Sequence, residues 1–117
     1  AGGVCEALGA TFELHYRQDT PPTLNDPAAA ELVRAAAVEL VGEDRVRFGP
    51  EVRTMAAEDF GEFLLRVPGC YFFVGAADAE KGAGHPHHSP HFDVCEDCLP
   101  VAVDVLERAA LRALAAV

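Results

Sequence analysis

Cys70-Tyr71-Phe72-Phe73-Val74-Gly75 is an unbroken run of apolar, β-prone residues with no polar alternation. Such a run reads as a strand covered on both faces, which is typical of a layered α/β sheet rather than a one-sided antiparallel one. Its flanks agree. Residues 54–67 predict a helix, with Glu58 and Asp59 in its first turn, where acidic side chains suit the helix dipole. Downstream lies Gly84-His85-Pro86-His87-His88-Ser89-Pro90-His91-Phe92-Asp93. A last helix starts near Asp97, tolerates Pro100 in its first turn and runs through Leu106, Leu111 and Leu114 to the end. Helix, strand and helix in succession predict an α/β fold.

Upstream, residues 1–9 read as the end of a helix stopped by Gly9. Residues 11–17 alternate, with Phe12, Leu14 and Tyr16 on one face and Glu13, His15 and Arg17 on the other, which predicts a strand buried on one side. His15 falls on the solvated face. Residues 19–26 hold two prolines and two threonines without apolar periodicity and read as a linker at a domain boundary. Asp26 followed by Pro27 is an N-cap and a first-turn proline, opening an alanine-rich helix that Gly42 ends. A short strand is expected at residues 45–48.

The totals narrow the function. The chain has 117 residues and a net charge of −10, which disfavours nucleic acid and anionic membrane surfaces as partners. It has no apolar stretch of roughly 18 residues, so no transmembrane span is expected. Without an initiator methionine or a leader layout, Ala1 reads as a cut inside a longer cytoplasmic protein. The four cysteines, Cys5, Cys70, Cys95 and Cys98, are too sparse for a disulfide scaffold. Ser89 is the only serine and precedes a proline outside any Gly-x-Ser-x-Gly setting, which excludes it as a serine-hydrolase nucleophile.

Four of the five histidines, His85, His87, His88 and His91, lie within seven residues. Imidazole is the commonest protein ligand for metals, and the flanking prolines stiffen the loop that carries it. In an extended loop His87 and His88 point apart, so at most one of them faces a given ion. No His-x-x-x-His or His-x-x-Glu-His pattern is present, and spacing alone leaves metal binding open.

The ordered set Met55-Ala56-Ala57-Glu58-Asp59-Phe60, Val67-Pro68-Gly69 leading into residues 70–76, Glu80-Lys81-Gly82, Pro86-His87-His88-Ser89-Pro90-His91-Phe92-Asp93 and Glu96-Asp97-x-Leu99-Pro100 resembles one group of proteins. It is similar to the C-terminal end of the hippurate hydrolase and N-acyl-amino-acid amidohydrolase group, which includes the indole-acetyl-amino-acid hydrolases. These belong to the two-metal aminoacylase–carboxypeptidase superfamily. The likeness is nearly collinear over residues 50–117 and looser upstream, through Pro21-Pro22-x-x-Asn25-Asp26.

The resemblance implies an α/β/α sandwich catalytic domain carrying an inserted α+β lid that often mediates dimerisation. Residues 1–19 would be the last lid helix and strand, 20–26 the returning hinge and 27–117 the closing part of the catalytic domain. It implies hydrolysis of the amide bond of N-acyl or aryl-acyl amino acids by two divalent ions, zinc or manganese, which activate a water that a glutamate deprotonates. His88 matches the metal-binding histidine of the His-(Ser or Asn)-Pro-x-Phe motif. Glu58 and Asp59 match a loop lining the substrate pocket. The glutamate and the other ligands would precede the lid, so the chain alone should bind metal weakly and be inactive. Ala56 and Ala57 stand where two glycines are common, and a positive φ there would cost about 1 kcal/mol or more. Two rival readings remain: a non-catalytic assembly remnant, and a thiol or zinc module built on Cys95-x-x-Cys98 with His88 or His91.

Overall fold

Asp26 sets the first long element. Its backbone is extended, and its carboxylate accepts the Ala29 N–H at 2.9 Å, satisfying one of the free donors at a helix start. Pro27 then presets the helical φ, and α2 runs over Pro27–Val41. It stops at Gly42, whose φ of 86° and ψ of 155° suit glycine almost alone. In the computed structural model, which describes residues 1–115, the other helices are α1 (Gly2–Ala7), α3 (Gly61–Leu64) and α4 (Cys98–Ala115). Short 3-10 turns cover Glu43–Arg45 and Pro50–Val52. Ala116 and Val117, which the last helix was expected to reach, lie outside the described residues.

The two long helices pack on each other through small residues. Ala30 and Ala36 of α2, with Val105 and Ala109 of α4 spaced one turn apart, are buried. At the edge of this contact Glu39 receives Arg108 Nη1 at 2.8 Å and also pairs with Arg112, one turn further along α4. Both pairs are half-exposed, so each contributes at most about 1 kcal/mol.

Among the described residues no β-ladder forms; a single antiparallel bridge joins Asp78 and Ala83. The strands expected at 11–17, 45–48 and 70–75 therefore do not form among the described residues, and no layered sheet is assembled from them. A strand requires a partner for its N–H and C=O groups, and periodicity reports only which face would be covered. Residues 70–75 are not covered on both sides here, since Phe73 is 64% exposed. The helix expected over 54–67 shrinks to α3, because the Glu58 carboxylate takes the Phe60 N–H at 3.0 Å and delays the start. Gly9 does end α1, with φ 67°.

The chain is open. Its radius of gyration is 19.5 Å, against about 13 Å for a compact domain of this length. Among the described residues the buried apolar ones are four alanines and one valine, while Phe12, Leu14, Tyr16, Phe63 and Leu106 are exposed. Apolar side chains left uncovered in this number favour association. The isolated chain is expected to self-associate, and light scattering should give a mass above the 12.4 kDa monomer. A clean monomer would contradict this.

Candidate functional site

The histidine loop is tied at both ends. On the entry side Asp78 and Ala83 exchange main-chain hydrogen bonds of 2.8 and 2.9 Å, closing a tight turn that needs the positive φ of Gly82. The Asp78 carboxylate accepts the Glu80 N–H at 3.0 Å and the Lys81 N–H at 3.3 Å, steadying the same turn. On the exit side the Cys95 N–H donates to the Ala76 carbonyl at 2.8 Å. Lys81 reaches across to Asp97 at 2.5 Å, just ahead of α4.

That ion pair holds the Asp97 carboxyl below the usual aspartate range, chiefly through the hydrogen bond from Lys81, and raises Lys81 in return. The Asp97 contribution is present above the ordinary aspartate range and is lost as pH falls through its depressed value. The Lys81 contribution is present below the ordinary lysine range and is lost as pH rises through its elevated value. The tether thus holds at neutral pH. Lys81→Met is expected to return Asp97 upward in a carboxyl-carbon NMR titration; an unmoved Asp97 would show that the pair does not form.

Within the loop, Ser89 has a structural role: its hydroxyl accepts the His91 N–H at 3.1 Å, and its carbonyl accepts the Phe92 N–H at 3.0 Å. His85 and His91 face each other with ring centroids 5.4 Å apart, and His87 meets the edge of Phe92 at 4.7 Å. His88 alone of the four has no ring neighbour among the described residues. It is also the one non-glycine there with a positive φ, 67°. A left-handed backbone costs about 1–2 kcal/mol outside glycine, and strain of this kind gathers where a side chain must be aimed.

Glu58 and Asp59 part company. Glu58 is half-buried, its carboxylate bound by the Phe60 N–H and facing the Tyr71 hydroxyl, and these two donors, in that order, hold it below the usual glutamate range. The Tyr71 hydroxyl is raised by the same contact. Asp59 is exposed. Ala56 and Ala57 do not adopt positive φ, so the strain that glycine would have relieved does not arise.

The described residues bring together no group of three histidine, cysteine or acidic side chains that could hold a metal ion. His88 is thus one donor, and this chain does not by itself fit a two-metal centre. A zinc module of Cys95, Cys98 and a loop histidine is likewise not assembled. Cys95 Sγ instead lies 3.7 Å from Lys81 Nζ, and all four cysteines are free. A surface groove lined by Leu24, Asp26, Leu64 and residues 65–69 contains neither His88 nor Glu58. No helix among the described residues is long and apolar enough to cross a membrane.

Sequence reading passed over Asn25, Tyr71 and Lys81 as site residues. Asn25 lay in a stretch read as linker and Tyr71 in a run read as core. Lys81 was visible only as part of a motif.

A loop tied at both ends thus carries one exposed histidine in the left-handed region, His88, ahead of α4. Residues 3–112 match the model of the Peptidase family M20/M25/M40, and the chain belongs to that family. It is 35% identical over 109 residues to YhaA of Bacillus subtilis, named as an amidohydrolase, covering 93% of this chain and 27% of that protein. It is 35% identical over 107 residues to an ILR1-like IAA-amino acid hydrolase of Arabidopsis thaliana, covering 90% of this chain and 23% of that protein. It is 36% identical over 99 residues to thermostable carboxypeptidase 1 of Saccharolobus solfataricus, covering 82% and 23%. The chain therefore spans about a quarter of the length of the curated relatives it matches. No solved structure gives a significant match.

Proposed function

We propose that the chain is the C-terminal part of a metal-dependent amidohydrolase that cleaves the amide bond of N-acyl or aryl-acyl amino acids. The observation that carries this reading is His88, strained into the left-handed region at the turn of a loop tied at both ends. In this reading His88 supplies one ligand to a pair of divalent ions, zinc or manganese, whose remaining ligands and general base come from polypeptide outside these residues. Glu58 lines the substrate pocket; Asp59, exposed here, borders it. Residues 1–19 close an α+β lid that pairs two copies, 20–26 form the hinge, and 27–117 complete an α/β/α sandwich in the cytoplasm.

The open shape supports it. Apolar side chains left uncovered on residues 11–17 and 70–75 and on α4 would be buried by the rest of such a domain, and the absent strands would gain partners there. The same exposure favours a second reading, in which the chain serves only as an assembly unit.

One assay separates them. A family-length polypeptide containing this chain should release amino acids from N-benzoyl and indole-acetyl conjugates in the presence of zinc or manganese, whereas the 117 residues alone should not. Turnover by the chain alone would overturn the proposal, and an inert family-length polypeptide would leave the assembly reading.

A further inference from the structure

The segment expected to be a linker is stitched to the substrate-pocket loop. Pro21 and Pro22 lie so close to Gly61 that a Cβ there would sit 3.0 Å from the Pro21 carbonyl oxygen and 3.2 Å from that of Pro22. Thr23 Oγ1 donates to the Glu58 carbonyl at 3.4 Å. The Asp26 N–H donates to the Gly69 carbonyl at 2.9 Å. Between them Asn25 makes the most specific contact. Its Nδ2 donates to the Tyr71 carbonyl at 2.8 Å, and its Oδ1 accepts the Tyr71 N–H at 2.7 Å. The side-chain amide thus satisfies both main-chain groups of one residue, as a neighbouring strand would.

Tyr71 is in turn linked to Glu58 through Phe60, and the Glu58 carboxylate raises the Tyr71 hydroxyl above the usual tyrosine range. Its ring packs on Phe60 at 5.6 Å and meets Phe73 edge-on at 5.3 Å, so ring and backbone are both held. A carboxylate bound by a main-chain N–H of fixed direction is favoured in its ionised form.

We infer that Asn25 is a positioning residue for Glu58: its two-way pairing with the Tyr71 backbone fixes the Tyr71 ring against Phe60, whose N–H binds the Glu58 carboxylate, while Thr23 beside it holds the Glu58 carbonyl. The role of Glu58 toward substrate rests on the amidohydrolase reading, whereas the Asn25–Tyr71–Glu58 linkage does not. Residues 21–26 thus form a strap across the pocket loop.

The test uses the 117-residue chain with Tyr16→Phe, which leaves Tyr71 as the only tyrosine. Its ionisation is followed by ultraviolet absorbance on raising the pH. Glu58→Gln should lower the Tyr71 midpoint toward that of free tyrosine. Asn25→Ala should lower it as far, and the double variant no further. An Asn25→Ala midpoint equal to that of the parent, with Glu58→Gln lowered, would overturn the linkage.

Amide exchange in the unaltered chain gives a second reading independent of any variant's folding. The Tyr71 N–H should exchange more slowly than those of Phe72 and Phe73, and equal rates would overturn the linkage too. Neither readout involves hydrolysis. Loss of the amidohydrolase reading would leave both results in place, and failure of the linkage would leave the conjugate assay unaffected.

Discussion

Replacing His88 with alanine in a family-length polypeptide containing this chain is expected to lower N-acyl amino acid hydrolysis by more than about 100-fold, the upper range for removing a group one step away from a bound metal. The loss should come without unfolding, because the His88 side chain is exposed and its ring packs on no aromatic neighbour among the described residues. Its left-handed backbone allows a sharper control. Asparagine tolerates positive φ better than most residues and has no imidazole, so His88→Asn keeps the turn and removes the ligand. Both variants should be equally inactive. If His88→Asn retained turnover, the turn rather than the ring would be what matters, and the ligand assignment would fall. His87→Ala should act differently: it removes an edge contact with Phe92 and leaves most turnover in place.

Gly61→Val is expected to cost about 1–3 kcal/mol of stability, the range for forcing extra methyl groups into a filled space. The nearest atoms to a Cβ at Gly61 include main-chain carbonyls of Pro21 and Pro22 at 3.0 and 3.2 Å, which cannot swing aside as a flexible side chain would. Relief requires the Pro21–Asp26 segment to move, and with it the Asn25 pairing to Tyr71. A urea titration should therefore show a lower midpoint, and the Tyr71 amide should lose its protection from exchange in the same variant. An unchanged midpoint would mean that the strap is loose, contrary to the close approach seen at Gly61. Substitution at Gly75, where a Cβ would meet nothing within 4 Å, is the matched control.

The helices were legible because their signals are local. Asp26, Pro27 and Gly42 bracket the 15 residues of α2, and each acts on neighbouring backbone. Gly9, at φ 67° just beyond the end of α1, follows the same logic. Strands were not legible in this sense. The alternation of Phe12, Leu14 and Tyr16 states which side would be covered, but pairing is a relation between segments, and among the described residues only the isolated Asp78–Ala83 bridge forms. Residues 54–67 misled for a smaller reason. Their apolar spacing suits a helix, yet Glu58 is long enough to take the Phe60 N–H and end the extended stretch late.

The candidate site divides along the same line. His88 stood out from its motif, and spacing alone did not separate it from His85, His87 or His91. The structure separates them, through ring contacts for the other three and a positive φ for His88. Asn25 was hidden because its partner is 46 residues away and the stretch around it looks like linker. Lys81 was hidden likewise, its carboxylate partner lying 16 residues on.

The most direct measurement is the anomalous X-ray signal of zinc or manganese in crystals of a family-length polypeptide containing this chain. The expected result is a cation bound to one ring nitrogen of His88, about 2.0–2.1 Å away for zinc. Cations bound elsewhere, with the His88 ring turned into bulk solvent, would contradict it.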